Sequence, residues 1–340
     1  MKKAFFLLIH LFFLPSLYAQ EYSYSISPEL PAGAMVRTIA MNKNNYIVGS
    51  YTLFDPNQLR ARDHGFVFSQ GILSIDQDYP GATSTSIKSV NNAGVAVGHA
   101  VLFDPATNNF ITHGLIMNGD GFQLLDYPDA KFTLLDVISN NGLIAGRYTD
   151  AFNDDRYFTY NIRTGRFKDL NVRLNGPTSI NAINNSGIIS GSTNNTSKAY
   201  RVRTSNSQLT LIPTPSQAMT AFISPGGNPR MFAGKYIDPN RAFTGYLSRN
   251  GQLINILPPA ANASEVNGIN NRGQLSLSAN MGAQGVQAFQ YDPATRSYSQ
   301  LNVNPQGQAE ARAINANGNI AGIMYRNNGN ADQVFLAFPQ

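Results

Sequence analysis

Lys88, Asp136 and Arg312 are the residues of this sequence whose types could build an active site. A carboxylate can act as a general acid or base, and a cation can stabilise negative charge that develops during a reaction. The three residues occupy one equivalent position in different copies of an internal repeat, so a ring of repeats would bring them together. They are candidates for catalysis or for binding.

Histidine, the usual general base near neutral pH, is scarce. His10 lies in the N-terminal apolar segment, which leaves His64, His99 and His113. His64 and His113 are equivalent repeat positions that hold other residue types in the remaining copies, which favours a structural or surface role.

Known catalytic and metal-binding patterns are missing from the sequence. There is no G-x-S-x-G elbow, no H-E-x-x-H pair and no glycine-rich phosphate loop, and the chain has no cysteine. Asp154 and Asp155 lack further oxygen ligands at the spacing of a calcium site. No cofactor, metal site or catalytic residue is predicted, and whether the protein is an enzyme stays open, with a noncatalytic role favoured.

One phrase recurs along the chain: an apolar residue, Asn or Ser, two turn residues, Gly, an apolar patch and a second Gly. The seven copies are 40 to 49 residues apart, which leaves no room for a separate domain. The clear copies are VNNAGVAVG from Val90, ISNNGLIAG from Ile138, INNSGIISG from Ile183, INNRGQLSL from Ile269 and INANGNIAG from Ile314; weaker ones begin at Met41 and Ile223.

The phrase predicts a β-hairpin, because Asn can hydrogen-bond the turn backbone and Gly adopts the left-handed conformation of a tight turn. An aromatic or apolar third strand follows, such as GFVF from Gly65, and then a fourth, such as LINILPP from Leu253. Four strands per repeat of about 45 residues predict an all-β fold: a seven-bladed β-propeller of four-stranded antiparallel blades over residues 20–340.

Closure of the ring is predicted from the two ends of the chain. The last repeat stops after its third strand, and residues 22–28 form an orphan strand before the first repeat. We expect this N-terminal strand to complete the last blade, which removes the open sheet edges of an unclosed array.

The chain resembles the HAF repeat proteins, predicted bacterial extracellular proteins named for a His-Ala-Phe triplet in the third strand. The triplet survives partly, as His64-Gly65-Phe66 and His113-Gly114-Leu115. The resemblance covers nearly the whole mature chain and implies propeller-like repeats and an exported location. It implies no catalytic residues.

The N-terminal segment is typical of a secretory signal peptide. Lys2 and Lys3 precede a short apolar run, and Ala19 supplies a small residue for cleavage. We predict a signal peptide at residues 1–19, a periplasmic or extracellular address, and no membrane span after cleavage. The alternative is a membrane anchor.

Nucleic acid is not a predicted partner. The formal net charge is +5, of which Lys2 and Lys3 supply two, and the other basic residues are scattered rather than clustered along a stripe. The mature chain is predicted to be a monomer whose partner is an unidentified protein or carbohydrate.

Variation between repeats is the best guide to function. Three residues before the aligned Asn, the copies differ most, and we call these positions the channel ring, because the first strand of a blade lines the central channel. They are Ile39, Lys88, Asp136, Asn181, Ala221, Asn267 and Arg312. The alternative is a merely hydrated channel mouth.

Loop length also varies. The hairpins between the second and third strands are longest in the first two repeats, and we call these two the rim hairpins. They carry Arg60, Arg62, Phe103 and Phe110, types enriched at protein interfaces. They should form a raised rim on the same face as the channel ring, or simply cover their own blades.

Two hypotheses follow. The first is an exported noncatalytic β-propeller binding module that uses the channel-mouth face. The second is a periplasmic or secreted hydrolase or lyase with a polar site in the central channel.

Overall fold

The computed structural model describes residues 20–55, 59–172, 178–193, 198–214, 217–226, 231–240, 242–305, 307–325 and 332–340. The predicted signal peptide lies outside these residues. Within the described ranges, no helix is long and apolar enough to cross a membrane.

Seven antiparallel sheets form the blades of a β-propeller, which confirms the predicted fold class. β1 (Tyr22–Ile26) precedes blade 1, which contains β2 (Met35–Met41), β3 (Ile47–Asp55), β4 (Arg60–Ser69) and β5 (Ile72–Ser74). Blade 2 contains β6 (Ser84–Val90), β7 (Ala96–Asp104), β8 (Asn109–Asn118) and β9 (Gly121–Leu124). Blade 3 contains β10 (Phe132–Ile138), β11 (Leu143–Thr149), β12 (Asp155–Asn161) and β13 (Arg166–Leu170). Blade 4 contains β14 (Thr178–Ile183), β15 (Ile188–Thr193), β16 (Lys198–Arg203) and β17 (Gln208–Leu211).

The remaining blades follow the same order. Blade 5 contains β18 (Gln217–Ala218), β19 (Phe222–Ile223), β20 (Met231–Ile237), β21 (Phe243–Arg249) and β22 (Gln252–Ile256). Blade 6 contains β23 (Ala263–Ile269), β24 (Leu275–Asn280), a 3-10 turn (Gly282–Gln284), β25 (Val286–Asp292) and β26 (Ser297–Gln300). Blade 7 contains β27 (Gln308–Ile314), β28 (Ile320–Tyr325), β29 (Gln333–Pro339) and β1.

The first strand of blade 5 departs from the four-strand plan. It is split into two short strands, β18 and β19, and each of them pairs with β20. Between them, the backbone N–H groups of Met219 and Thr220 both donate to the carbonyl of Lys235, so the regular ladder is interrupted.

The N-terminal strand closes the ring as predicted. β1 pairs antiparallel with β29, from Tyr22 opposite Pro339 to Ile26 opposite Phe335. Beyond the strand, the N–H of Ser27 donates to the carbonyl of Val334 at 2.8 Å, and Val334 N–H donates back to Ser27 Oγ at 2.9 Å. Both ends of the chain therefore belong to one sheet.

The turn of the repeat phrase has the predicted conformation. The residue at the Gly position has a positive φ in six repeats, including +64° at Asn45, which replaces Gly in the first copy. The others are Gly94, Gly142, Gly187, Gly273 and Gly318.

The first Asn of the phrase caps its own turn. Oδ1 of Asn91 accepts from the N–H groups of Ala93 and Val95 at 2.9 and 3.0 Å. Asn42, Asn184, Asn270 and Asn315 make the same pair of bonds. In three copies Nδ2 also donates to the next blade: Asn42 to the carbonyl of Asn91, Asn270 to that of Asn315, and Asn315 to that of Asn42.

The second Gly of the phrase permits a close backbone approach. A Cβ at Gly98 would lie 1.9 Å from the carbonyl oxygen of Ser86 on the first strand of the same blade. The same contact, at 1.9 to 2.3 Å, would occur at Gly49, Gly146, Gly191, Gly234 and Gly322.

The hydrophobic core lies between neighbouring blades. One cluster joins Tyr51 and Phe66 of blade 1 to Ala321, Val334 and Leu336 of blade 7, all nearly inaccessible to solvent. Each blade therefore buries its apolar faces only against its two neighbours, and closure supplies the interface between blades 1 and 7.

Deleting Gln20 to Leu30 should destabilise the protein severely, because it exposes the edge of β29 and removes buried Leu30 from the interface of blades 1 and 7. We expect the melting temperature to fall by about 10 °C or more. A shortened tip of the exposed β7–β8 hairpin serves as the control. Equal melting temperatures for the two truncations would contradict closure by β1.

Gly98→Ala should cost about 2 kcal/mol or more, because the added methyl group overlaps the Ser86 carbonyl. Gly119→Ala is the matched control: a Cβ there meets nothing within 4 Å, so we expect a change within about 0.5 kcal/mol. Urea unfolding measures both, and similar midpoints for the two variants would refute the contact.

Candidate functional site

A cavity of about 490 Å³ occupies the central channel. All seven blades line it, mainly through their first strands and the turns that follow them. The channel-ring residues Lys88, Asp136, Asn181, Asn267 and Arg312 all line this cavity, so the structure brings together the residues singled out from the sequence.

β-bulges present these five residues. The ladder between first and second strands shifts register at each of them, as between Ile87 and Ser89, so the ring residue is the extra one. A bulge bends the strand and re-aims its side chain. In blade 1 the shift falls at Arg37 instead, and Ile39 pairs with Gly49 as Ile87 pairs with Gly98.

Asp136 is the most buried charge of the ring, with 5% of its side chain exposed. Lys88 Nζ donates to its Oδ1 at 2.8 Å, and Arg147 Nε donates to its Oδ2 at 2.8 Å. Burial alone would raise the pKa of Asp136, but the positive charges of Lys88 and Arg147 outweigh it and hold the pKa at about 2. Asp136 is therefore a carboxylate at every physiological pH.

His99 lies on β7 beside this cluster. Burial and the positive charge of Lys88 lower its pKa to about 4, and its Nδ1 has no hydrogen-bond partner among the described residues. The imidazole is thus neutral at pH 7.

Arg147 and His99 also belong to this cluster, although neither was identified from the sequence. Each directly follows the second Gly of its repeat, where the copies read Ser50, His99, Arg147, Ser192, Lys235, Ser278 and Ile323. This column varies as much as the channel ring, and aligning it would have identified both residues. Lys235 of this column pairs with Glu265 at 2.7 Å.

The remaining ring residues hydrogen-bond the scaffold. Arg312 Nη2 pairs with Glu310, whereas its buried Nε has no hydrogen-bond partner among the described residues. Asn181 Oδ1 accepts from the N–H of Ala221 at 3.2 Å, and Asn267 Nδ2 donates to the Ala311 carbonyl at 2.9 Å. Ala221 is fully buried and presents no side chain to the channel.

The cavity lies on the turn side of the channel ring. Its mouth is lined by the second residue of the turns, among them Lys43, Asn92, Asn140 and Asn185, and no described residue of a rim hairpin contributes. This corrects the expectation that ring and rim hairpins share one open face. Lys88 is the fifth of seven residues in β6, so Asn91 in the turn is only three positions, about 10 Å, further along the chain.

The rim hairpins are long, as predicted, and they also contact each other. Arg60 Cζ lies 4.6 Å from the centre of the Phe110 ring, and Phe103 packs on Phe110 with ring centres 5.3 Å apart. Arg62 Nε lies 3.7 Å from Asp55 Oδ2. The first contact joins the two hairpins, and the other two stabilise each hairpin internally, away from the cavity.

His64 and His113 have the same structural role. Nδ1 of each lies 2.7 Å from an aspartate oxygen, of Asp78 and Asp126 respectively. The other oxygen of each aspartate accepts the N–H of the glycine after the histidine. Each pair thus ties the third strand to the segment that follows the fourth.

Asp76 completes a small group with His64 and Asp78 that has the donor set of a divalent-cation site, with ligand atoms within 4.8 Å of one another. Hydrogen bonds inside the protein already account for it, because Tyr51 Oη donates to Asp76 Oδ1 at 2.6 Å and Asp78 holds His64. The arrangement is explained without a metal ion.

Solved structures with a similar fold are β-propeller proteins. Streptogramin B lyase is 12% identical with a TM-score of 0.54, over 94% of this chain and 98% of that chain. A catalytically inactive virginiamycin B lyase from Staphylococcus aureus, solved with quinupristin, is 13% identical with a TM-score of 0.58, over 94% and 100%. They share the fold.

A third similar structure differs in its closure. The β-propeller domain of the Trilobed protease from Pyrococcus furiosus, described as having an open velcro topology, is 9% identical with a TM-score of 0.56, over 76% of this chain and 83% of that chain. No protein-family model and no curated protein sequence matches this chain.

His99→Gln should make the free energy of unfolding less dependent on pH in the acidic range. Between pH 6.5 and about 4 the unfolded histidine takes up a proton that the folded one does not, so acidification in this window favours unfolding. We expect the wild type to lose on the order of 2 kcal/mol more than the variant over this window, measured by urea unfolding. Parallel curves for the two proteins would show that His99 is not held neutral.

Proposed function

We propose that this protein is an exported, noncatalytic binding module that takes a protein or carbohydrate partner at the central cavity. The observation that carries the proposal is the cavity of about 490 Å³ that is lined by channel-ring side chains which differ in type and charge: Lys88, Asp136, Asn181, Asn267 and Arg312. The turns around the mouth repeat while the ring does not, so a ligand would bind in one orientation.

The state of the charged groups supports binding rather than catalysis. A general acid or base works best with a pKa near the working pH. Asp136 has a pKa of about 2 and is engaged by two cations, and His99 has a pKa of about 4 and does not line the cavity. The hydrolase or lyase alternative would need a group poised closer to neutrality.

Export, a monomeric state and membership of the HAF repeat family are parts of the same proposal. The Lys2-Lys3 pair, the apolar run and Ala19 support export. The partial triplets at His64 and His113 support the family, and their shared pairing with aspartate gives the histidine a reason to recur.

Ala316→Trp should block binding at the cavity. Ala316 is an exposed turn residue that lines the mouth, so the indole would fill the entrance without disturbing the core. Ala93→Trp is the matched control, because Ala93 is exposed in an equivalent turn but does not line the cavity. For a partner found by glycan array or pull-down with the mature protein, we expect at least a tenfold higher Kd for Ala316→Trp alone, with equal melting temperatures.

Two results would overturn the proposal. Binding that survives Ala316→Trp but is lost in Arg60→Ala/Arg62→Ala would move the site to the rim hairpins. Cleavage of a bound partner, seen by mass spectrometry and abolished by Ala316→Trp, would make the protein an enzyme.

A further inference from the structure

The charges of the cavity lining are unbalanced. Its described titratable residues are four cations and one carboxylate: Lys43, Lys88, Arg147, Arg312 and Asp136. Asp136 is held by Lys88 and Arg147, and Arg312 is paired with Glu310, which does not line the cavity. Even when Glu310 is counted, positive charges exceed negative ones by two, so the lining favours an anion.

Unused hydrogen-bond donors lie in the same lining. The buried Nε of Arg312 has no hydrogen-bond partner among the described residues. At the mouth, Oδ1 of Asn92 and of Asn140 accepts the backbone N–H of the preceding blade's turn, from Lys43 at 3.0 Å and Asn92 at 2.8 Å. Because the oxygens of these side chains accept bonds within the protein, their NH₂ groups are the donors left for a ligand.

The lowered pKa of the neighbouring His99 agrees with a positive local potential. Lys88 and Arg147 both lower the pKa of His99, beyond the larger effect of burial, while Asp136 acts in the opposite direction. The cluster therefore behaves as cationic despite its carboxylate.

From these observations we infer that the cavity binds an acidic saccharide, with its carboxylate or sulfate group near Lys43 and Arg312 and its hydroxyl groups on the asparagine amides. This inference rests on the proposed function and names the ligand class of the same site. Asparagine amides at the mouth match the hydroxyl groups of a saccharide, which both donate and accept hydrogen bonds.

Calorimetry with trigalacturonate and its fully methyl-esterified form tests the charge requirement, since the two differ in the anionic group. We expect at least tenfold weaker binding of the ester, and weaker binding of the acid as salt rises.

Lys43→Gln/Arg312→Gln should weaken binding of the acid at least tenfold. Arg166→Gln/Arg249→Gln, which removes two exposed positive charges outside the cavity, should change it less than twofold. A glycan array of matched acidic and neutral saccharides extends the same comparison to sulfated sugars.

The single variant Lys43→Gln keeps the test valid if the double variant misfolds, because Lys43 is an exposed turn residue whose substitution should not disturb the fold. Equal binding of acid and ester, equal effects of the two double variants, or no acidic saccharide bound on the array would overturn the inference. Tighter binding of triglutamate than of any acidic saccharide would assign the cavity to an acidic peptide. Neutral-sugar binding that Ala316→Trp abolishes would overturn the inference but leave the proposed function standing.

Discussion

In three repeats, the asparagine that opens the turn between the first and second strands makes hydrogen bonds in two directions. Oδ1 of Asn315 accepts two backbone N–H groups of its own turn, while Nδ2 donates across the closure to the carbonyl of Asn42 in blade 1. The same residue thus fixes a hairpin and joins it to its neighbour. A buried amide with all its groups satisfied is costly to replace, which explains why this position varies only to Ser in seven copies.

This arrangement explains how one molecule combines a regular scaffold with an irregular channel. The turns and the close-approach glycines fix the hairpins, and in five blades a β-bulge presents one further side chain to the channel. Lys88, Asp136 and Arg312 can therefore differ while their blades remain alike. The charges that result depend on pairs between blades, such as Lys88 of blade 2 with Asp136 of blade 3.

Much of the fold could be predicted from the sequence, because hairpins and their turns depend on local residues. The β1–β29 pairing could also be predicted, because the last repeat lacked its fourth strand. The positions of the β-bulges could not be predicted. Ile39 and Lys88 are both three residues before their aligned Asn, yet only Lys88 is bulged. Arg147 on the second strand of blade 3 donates a hydrogen bond to Asp136 on the neighbouring first strand. This pair can be inferred only when the second strands of the repeats are aligned as well as the first.

The sharing of blade 7 between the two ends of the chain has a consequence for how the protein matures. β1 is the first and β29 the last of the described strands, so their pairing spans the greatest sequence separation among them. Contacts of such long range form late, because the intervening chain must first be brought together. Until β29 pairs with β1, the blades form an open arc with an uncovered face at each end.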